Sequence, residues 1–504
     1  VCTLQITFSL LLNKQVYPNV LYYNDIKMTE IKTTQQQHNL SQRFLSLCKN
    51  IWEALMGTSH DYTQIKLSKA IFLLAIPMVL EMVMESIFAI VDIYFVSKLG
   101  ADAVASVGIT ESIITIVYSI AFGLSMATTA LVARRIGEKR PVRAAHIAWQ
   151  AITAGIIISL LIAVPGAIFS RQILQLMGAS NTLIEDFGGY ATIMLAGNVV
   201  IMLIFTNNAI FRGAGDAAIS LKILVIANGL NIILDPVLIL GLGPFPELGI
   251  EGAAWATNIG RGVAVLVQFY ILFKGSARVK LLKNKLRFEW KRIWKVLNIA
   301  SGGIFQSLIA TASWIGLVRI VSSFGSEAVA GYTIAIRIII FVLLPSWGLS
   351  NAASTLVGQN LGAKHPERAE KSVWFTAKVN MIFLGLISTI FIAWPTFFIE
   401  LFTQEPNIIK IGSQCLRIVS FGFISYGLGM VLVQSFNGAG DTKTPTKINL
   451  VAFWMIEIPT AYVLATYTSL GYQGAFLAII IAEVTMTSIA FILFKRGKWK
   501  NTQV

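Results

Sequence analysis

Charge is scarce in this chain. Of its 504 residues, 13% are Asp, Glu, Lys or Arg, about half the ~25% of an average soluble protein. That is too little to cover the surfaces of the two or more soluble domains this length would make. Disorder needs low hydrophobicity and high net charge; here 55% of residues are apolar and the mean hydropathy is +0.70. The three cysteines, Cys2, Cys48 and Cys415, are too few for a disulfide scaffold, a zinc ribbon or an iron–sulfur protein. The four histidines lie near loops or ends, which argues against a His-based metal centre. No Walker motif is found, so ATP is not the expected energy source, and no nucleophile–base pattern points to an enzyme. What remains is an all-α polytopic membrane protein.

Long apolar runs are what the chain does have. A helical span needs about 20 mostly apolar residues. Twelve runs qualify: 68–96, 104–133, 144–169, 184–210, 220–241, 252–273, 293–321, 329–357, 369–393, 408–436, 446–468 and 474–494. They do not alternate as barrel strands do. Basic residues gather in alternate loops: Arg134, Arg135, Lys139, Arg140 and Arg143; Lys274 to Arg292; Lys364, Arg368 and Lys371; and Lys495 to Lys500. The positive-inside rule puts those loops and both termini in the cytoplasm. The +15 net charge is then accounted for by anionic lipid, with no nucleic acid implied. Five regions follow: a cytoplasmic segment (1–67), a six-helix lobe (68–273), a basic interlobe linker (274–292), a second six-helix lobe (293–494) and a basic cytoplasmic tail (495–504). Within the first, Arg43 to Leu55 reads as an amphipathic interfacial helix or, equally, as a frayed tail. No signal peptide is expected there.

The two halves match at a constant offset of 225. Leu124, Ser125, Ala127, Leu131, Val132 and Gly137 face Leu349, Ser350, Ala352, Leu356, Val357 and Gly362, and Phe211 to Asp216 faces Phe436 to Asp441. One ungapped offset over such a length signals duplication. Each repeat has an even number of spans, so both halves enter the membrane in the same sense and are related by an axis along its normal. Two such lobes around a cleft suit alternating access. The two Gly-Ala-Gly-Asp segments lack the Lys-Ser/Thr of a phosphate loop and read as tight turns.

Several acids lie inside spans, where a charge at the bilayer centre costs at least ~2.5–3.5 kcal/mol. Glu81, Glu85 and Asp92 share one face of span one, spread over about 16 Å of helix. Span five carries Asn231 and Asp235, i,i+4 neighbours on one face. A carboxylate, an amide oxygen and nearby hydroxyls suit a proton relay or a Na⁺ site. The offset mates of Glu81, Glu85, Asp92 and Asp235 are Gln306, Ala310, Leu317 and Thr460, so ion chemistry is expected in the N-terminal lobe. Glu111, Arg319, Arg337, Lys378, Arg417, Glu457 and Glu483 read as scattered helix-end or interlobe charges, with Arg337 closest to the cleft. Pro77 removes a backbone bond inside span one and marks a hinge or a static kink. Glu81, Glu85, Gln306, Arg337 and Met202 are the candidate cleft residues; Met82, Met84, Phe88 and Met194 are also suited to it, with core packing the safer reading for these four and for Met202.

Ile76-Pro-Met78, Val91-Asp-Ile93, Leu99 to Asp102, Ala133 to Gly137, Gly229 to Pro236 and Gly249 to Thr257 together resemble the multidrug and toxic compound extrusion (MATE) transporters, closest to their DinF-like branch, over residues 68–494. The resemblance implies twelve helices in two lobes and efflux of amphipathic or cationic organic compounds against H⁺ or Na⁺. It implies a cation site, for H⁺ or Na⁺, of Asp92, Asp235, Asn231 and Thr257, with Tyr190 beside it and Pro77 at a bend. Glu81 and Glu85 depart from the common pattern. The acids of some NorM-like relatives in the C-terminal lobe are absent, with Ala310 and Tyr426 at the matching positions. The expectation is a monomeric antiporter in a prokaryotic cytoplasmic membrane, with no cofactor beyond the coupling ion, taking lipophilic or cationic small molecules among membrane lipids. A lipid or lipid-linked saccharide flippase is the alternative, kept open by Arg319, Arg337 and Arg417.

Overall fold

The computed structural model describes residues 46, 48–57, 60–275, 277–281 and 286–502. Residues 48–56 form one short helix, a unit by itself; the rest of the expected interfacial helix, and most of 1–67, lie outside the described residues.

From Leu67 onward the chain is helical wherever it is apolar, because lipid leaves backbone groups no partner except one another. The N-terminal lobe holds α1 (Leu67–Ser97), α2 (Ala101–Gly137), α3 (Pro141–Ile168), α4 (Asn181–Ala196 continued by Asn198–Ala214), α5 (Ala217–Ile239) and α6 (Gly249–Lys274). The C-terminal lobe holds α7 (Trp290–Ser322), α8 (Ser326–Gly362), α9 (Pro366–Ala393), α10 (Pro406–Ser420 continued by Phe423–Ala439), α11 (Lys443–Tyr467) and α12 (Tyr472–Lys495). Eleven of these are long and apolar enough to cross a membrane, and α10, bent by 56° at its break, makes the twelfth. The protein is a multi-pass membrane protein. Proline stands in the first turn of α3, α9 and α10, where its missing N–H costs nothing. Inside α1, Pro77 leaves the helix continuous.

The duplication persists in three dimensions. Lys139 and its mate Lys364 both take positive φ (58° and 62°), as do Gly100 and Gly325 (103° and 99°). The Gly-Ala-Gly-Asp segments are turns that end α4 and α10 on left-handed Gly215 and Gly440. The seam between the lobes obeys the same pseudo-two-fold: Gly303 of α7 packs on Gly123 of α2, and the mate of Gly123, Gly348 of α8, packs on Met78 of α1, the mate of Gly303. Small residues let the backbones approach where lipid offers no hydrophobic drive for helix association.

All of this seam lies toward the end that carries the basic loops. Thr355 donates to the Arg212 carbonyl (3.3 Å) and Gln359 to the Gly213 carbonyl (3.0 Å). Arg368 donates to the Tyr62 and Ile65 carbonyls, strapping α9 to the segment before α1. Ser307 donates to Ser119 at 3.1 Å, and no interlobe hydrogen bond lies beyond it toward the other end among the described residues. The lobes are closed at the basic-loop end and part at the other.

Gly137 and Gly362 hold the closed end. A Cβ on Gly137 would stand 1.9 Å from the Gln359 carbonyl oxygen, and one on Gly362 would stand 2.2 Å from that of Arg134. Both contacts are backbone, so neither yields. In Gly137→Ala and Gly362→Ala the closed end is expected to stay open. A cysteine at the buried Thr355 position, protected in the parent, then reacts with a membrane-impermeant thiol reagent about tenfold faster, since protection follows the population of the open form. Equal rates in parent and variants contradict this.

Candidate functional site

Four helices of the N-terminal lobe converge on one buried oxygen cluster. α5 presents Asn231 and Asp235 one turn apart; Asp235 is 0% exposed. The Asn231 amide reaches the Asp235 Oδ1 at 3.2 Å and the Thr257 Oγ1 of α6 at 3.3 Å. α1 contributes Asp92, the charged group that acts most on Asp235. Tyr190 of α4, buried as well, lies within the field of Asp92. The structure thus brings together the five residues that the resemblance groups.

Three oxygens here have no hydrogen-bond partner: Asp92 Oδ1, Asp235 Oδ2 and Asn231 Oδ1. Buried acceptors are nearly always satisfied, and two carboxylates near one another in an apolar lobe repel. The donor set is all oxygen and anionic, the chemistry of a proton or a hard monovalent cation. An Na⁺ held by Asp92, Asn231, Asp235 and Thr257 fits the groups present. No metal cluster of three or more His, Cys, Asp or Glu occurs among the described residues.

The other two acids of α1 have separate fates. Glu81 is buried against Arg212 of α4, with Nη1 donating to its Oε1 at 2.8 Å. Asn208 donates to the same oxygen at 3.2 Å, Gln268 of α6 to Asn208 at 2.8 Å, and Arg212 to Ser125 of α2 at 2.9 Å. Glu81 therefore belongs to a polar knot that ties α1, α2, α4 and α6 together, away from the cleft wall. Glu85, whose side chain is 35% exposed, pairs with Arg261 of α6 at 3.4 Å. Arg261 also donates to Tyr118 at 2.8 Å and lies 5.0 Å over the Phe88 ring.

Where the lobes part, aromatic rings form the floor. Phe122 of α2 stacks on Trp347 of α8 with centroids 6.4 Å apart, and Phe205 of α4 meets Phe122 at 5.0 Å and Tyr118 at 5.7 Å. Phe122 and Trp347 are exposed, so they close the seam from the open side. Among the expected cleft residues, Arg337 is exposed on α8 and its charge acts on Glu111 of α2 across the lobe boundary. Met202 and Met194 are buried in the core of the N-terminal lobe, and Gln306 is buried on α7. These three pack inside the lobes and do not line the opening.

Sequence reading passed over Arg212 and Arg261. A signal existed for the first. Glu81 and Arg212 are both charged, and their offset mates Gln306 and Asn437 are both neutral amides. Two charges of opposite sign confined to the same repeat are candidates for a pair.

Known proteins share this fold. The MatE family model matches residues 77–237 and 304–463, once in each lobe. The "Probable multidrug resistance protein YoeA" of Bacillus subtilis is 27% identical over 440 residues, 86% of this chain and 95% of that protein. The "Probable multidrug resistance protein NorM" of Thermotoga maritima is 25% identical over 442 residues, 87% and 94% of the two. A solved structure described as the outward-facing conformation of a multidrug resistance MATE family transporter of the MOP superfamily superposes with a TM-score of 0.82 at 25% identity, covering 87% of this chain and 98% of that one.

Proposed function

The chain belongs to the MatE family, and on that premise we propose that it is a secondary active efflux transporter, exchanging H⁺ or Na⁺ for amphipathic or cationic organic compounds across the cytoplasmic membrane. Its family makes it a transporter, not an enzyme. The observation that carries the coupling is the trio of unpartnered buried oxygens on Asp92, Asn231 and Asp235.

The mechanism follows from α1, which joins the cation site to the seam. Its far half carries Asp92; its near half puts Met78 against Gly348 of the opposite lobe. Next to Met78, on its N-terminal side, stands Pro77, which frees the Leu73 carbonyl from its helical bond. A cation between Asp92 and Asp235 replaces their repulsion with attraction and draws α1 toward α5. That movement is transmitted to the seam beside Pro77. A bound ion shifts access only by the difference in its affinity for the two states. The site must therefore differ in geometry between the state seen here, parted at the end away from the basic loops, and its opposite.

The aromatic floor, with Glu85 above it, is where a lipophilic cation gains ring contacts and a counter-charge. Trp347→Ala is expected to weaken ethidium binding about threefold to tenfold, for a contact of ~0.5–1.5 kcal/mol, with thermal stability unchanged because the ring is exposed. Fluorescence titration of purified protein checks this; equal affinities would remove Trp347 from the substrate path.

The test of the function is ethidium efflux from proteoliposomes under a pH gradient or a Na⁺ gradient imposed separately. One gradient drives efflux if the reading holds, and the experiment names the ion. If neither moves the dye, drug export fails and lipid flipping becomes the reading to assay.

A further inference from the structure

The two Gly-Ala-Gly-Asp turns differ in what meets their aspartates. In the N-terminal lobe Arg278 closes on Asp216, with its backbone N–H at 2.8 Å and its Nε at 3.1 Å. In the C-terminal lobe the mate of Asp216 is Asp441. Its two carboxylate oxygens accept from Thr444, from the backbone N–H at 3.1 Å and from the hydroxyl at 2.6 Å. Asp441 also borders a cavity of about 230 Å³, which it shares with Lys447 of α11, Arg496 just past α12 and Lys498 of the tail. Three cations there face one carboxylate. Among the described residues none of the three forms an ion pair.

The tail is fixed in place at this cavity. Gly497, at φ 71°, turns the chain back after α12. Trp499 is buried, stacks on Phe494 with centroids 4.7 Å apart and donates its Nε1 to the Phe494 carbonyl at 3.0 Å. Lys500 pairs with Glu370 of α9 at 2.6 Å. These contacts hold Lys498 on the same cavity as Arg496 and Lys447, where like charges repel. The cavity also has an apolar floor of Phe436, Leu493 and Trp499, which a merely solvated basic face lacks. Leu450, three residues beyond Lys447, and Ile492, next to Leu493, are exposed. They continue the apolar surface along α11 and α12, toward the flank that meets lipid.

We propose that this cavity binds the phosphate head group of an anionic phospholipid. Lys447, Arg496 and Lys498 surround the phosphate, and the acyl chains leave past Leu450 and Ile492. Basic pockets between helices at a membrane surface take such head groups. A soluble phosphate answers the same cations but leaves the apolar surface unused. At about 230 Å³ the cavity is smaller than the ~300–1,000 Å³ pocket of a drug-sized ligand, which separates it from the path of transported compounds. It shares no residue with the N-terminal cation cluster, so it stands or falls independently of the coupling mechanism.

The test is native mass spectrometry of the purified full-length protein in neutral detergent, titrated with phosphatidylglycerol or with phosphatidylcholine. The parent binds its first phosphatidylglycerol about tenfold more tightly than phosphatidylcholine, and Lys447→Gln and Arg496→Gln each weaken that binding about fivefold. Lys371→Gln, exposed on α9 at the same end and outside the cavity, leaves it unchanged. Asp441→Asn removes the one acid and tightens binding severalfold, a gain that misfolding does not produce. Inorganic phosphate in large excess leaves the lipid bound. The proposal is overturned if the two lipids bind alike, or if Lys371→Gln weakens binding as much as Arg496→Gln. Displacement of the lipid by inorganic phosphate also overturns it and makes the cavity a site for a soluble anion.

Discussion

Arg212→Met strongly destabilises the protein, and adding Glu81→Gln recovers much of the loss. Both ends of this pair are buried, and the remaining hydrogen bonds of Arg212 and Glu81 go to Ser125 and Asn208. Removing one charge leaves the other uncompensated in an apolar lobe, which costs about 3–5 kcal/mol, whereas replacing both is close to neutral. The single variant is expected to lose several degrees in thermal midpoint in detergent, and the double variant to regain most of them. The pattern separates a structural tie from a substrate contact: if Glu81 served the cleft, Glu81→Gln would change dye affinity and leave the midpoint alone. Destabilisation of the double variant as large as that of the single one contradicts the pairing.

Asp235→Asn abolishes gradient-driven efflux without unfolding the protein. The substitution is nearly isosteric and keeps an oxygen facing Asn231, so the lobe packs as before. What it removes is the negative charge that makes a cation preferable in one access state. An ion that swings a two-state equilibrium from about 1:99 to 99:1 must favour one state about 10⁴-fold. Without that preference turnover falls by roughly two orders of magnitude or more. Asp92→Asn behaves alike, since Asp92 is the opposing charge. Thr257→Ala is milder. It removes one hydroxyl oxygen, a contact of ~0.5–1.5 kcal/mol, and raises the cation concentration for half-maximal efflux by about threefold to tenfold. Stopped-flow dye release against ion concentration resolves both effects. Wild-type rates in Asp235→Asn would remove the site from the coupling path.

How legible all this was in the sequence depends on the range of the cause. Spans announce themselves because lipid contact imposes apolarity on every turn, and the helix ends found fall close to the expected runs. The duplication was legible because it kept one register through the seam, where Gly123 and Gly348, or Gly137 and Gly362, answer one another. Asn231 and Asp235 were legible as neighbours on one helix face. Contacts between helices were not. Glu81, Glu85 and Asp92 line up on one face of α1, yet Arg212 and Arg261 divide them into a structural tie, a partly exposed pair and a cation ligand. Arg212 passed unnoticed because it stands next to a turn, and Arg261 because one arginine in an apolar run looks like noise. Residue type suits Met202 to a cleft or to a core, and packing puts it in the core.

The central claim is that a cation in the N-terminal cluster sets which side of the protein is open. Spin labels at Lys98→Cys and Ser323→Cys, exposed at the parting ends of the lobes, report that opening directly by pulsed electron paramagnetic resonance. The background replaces Cys2 and Cys48 and leaves the buried Cys415. In the wild-type site, adding Na⁺ or lowering the pH shifts the distance distribution between the labels; in Asp235→Asn the same additions leave it where it was. An identical shift in both, or none in either, contradicts the account.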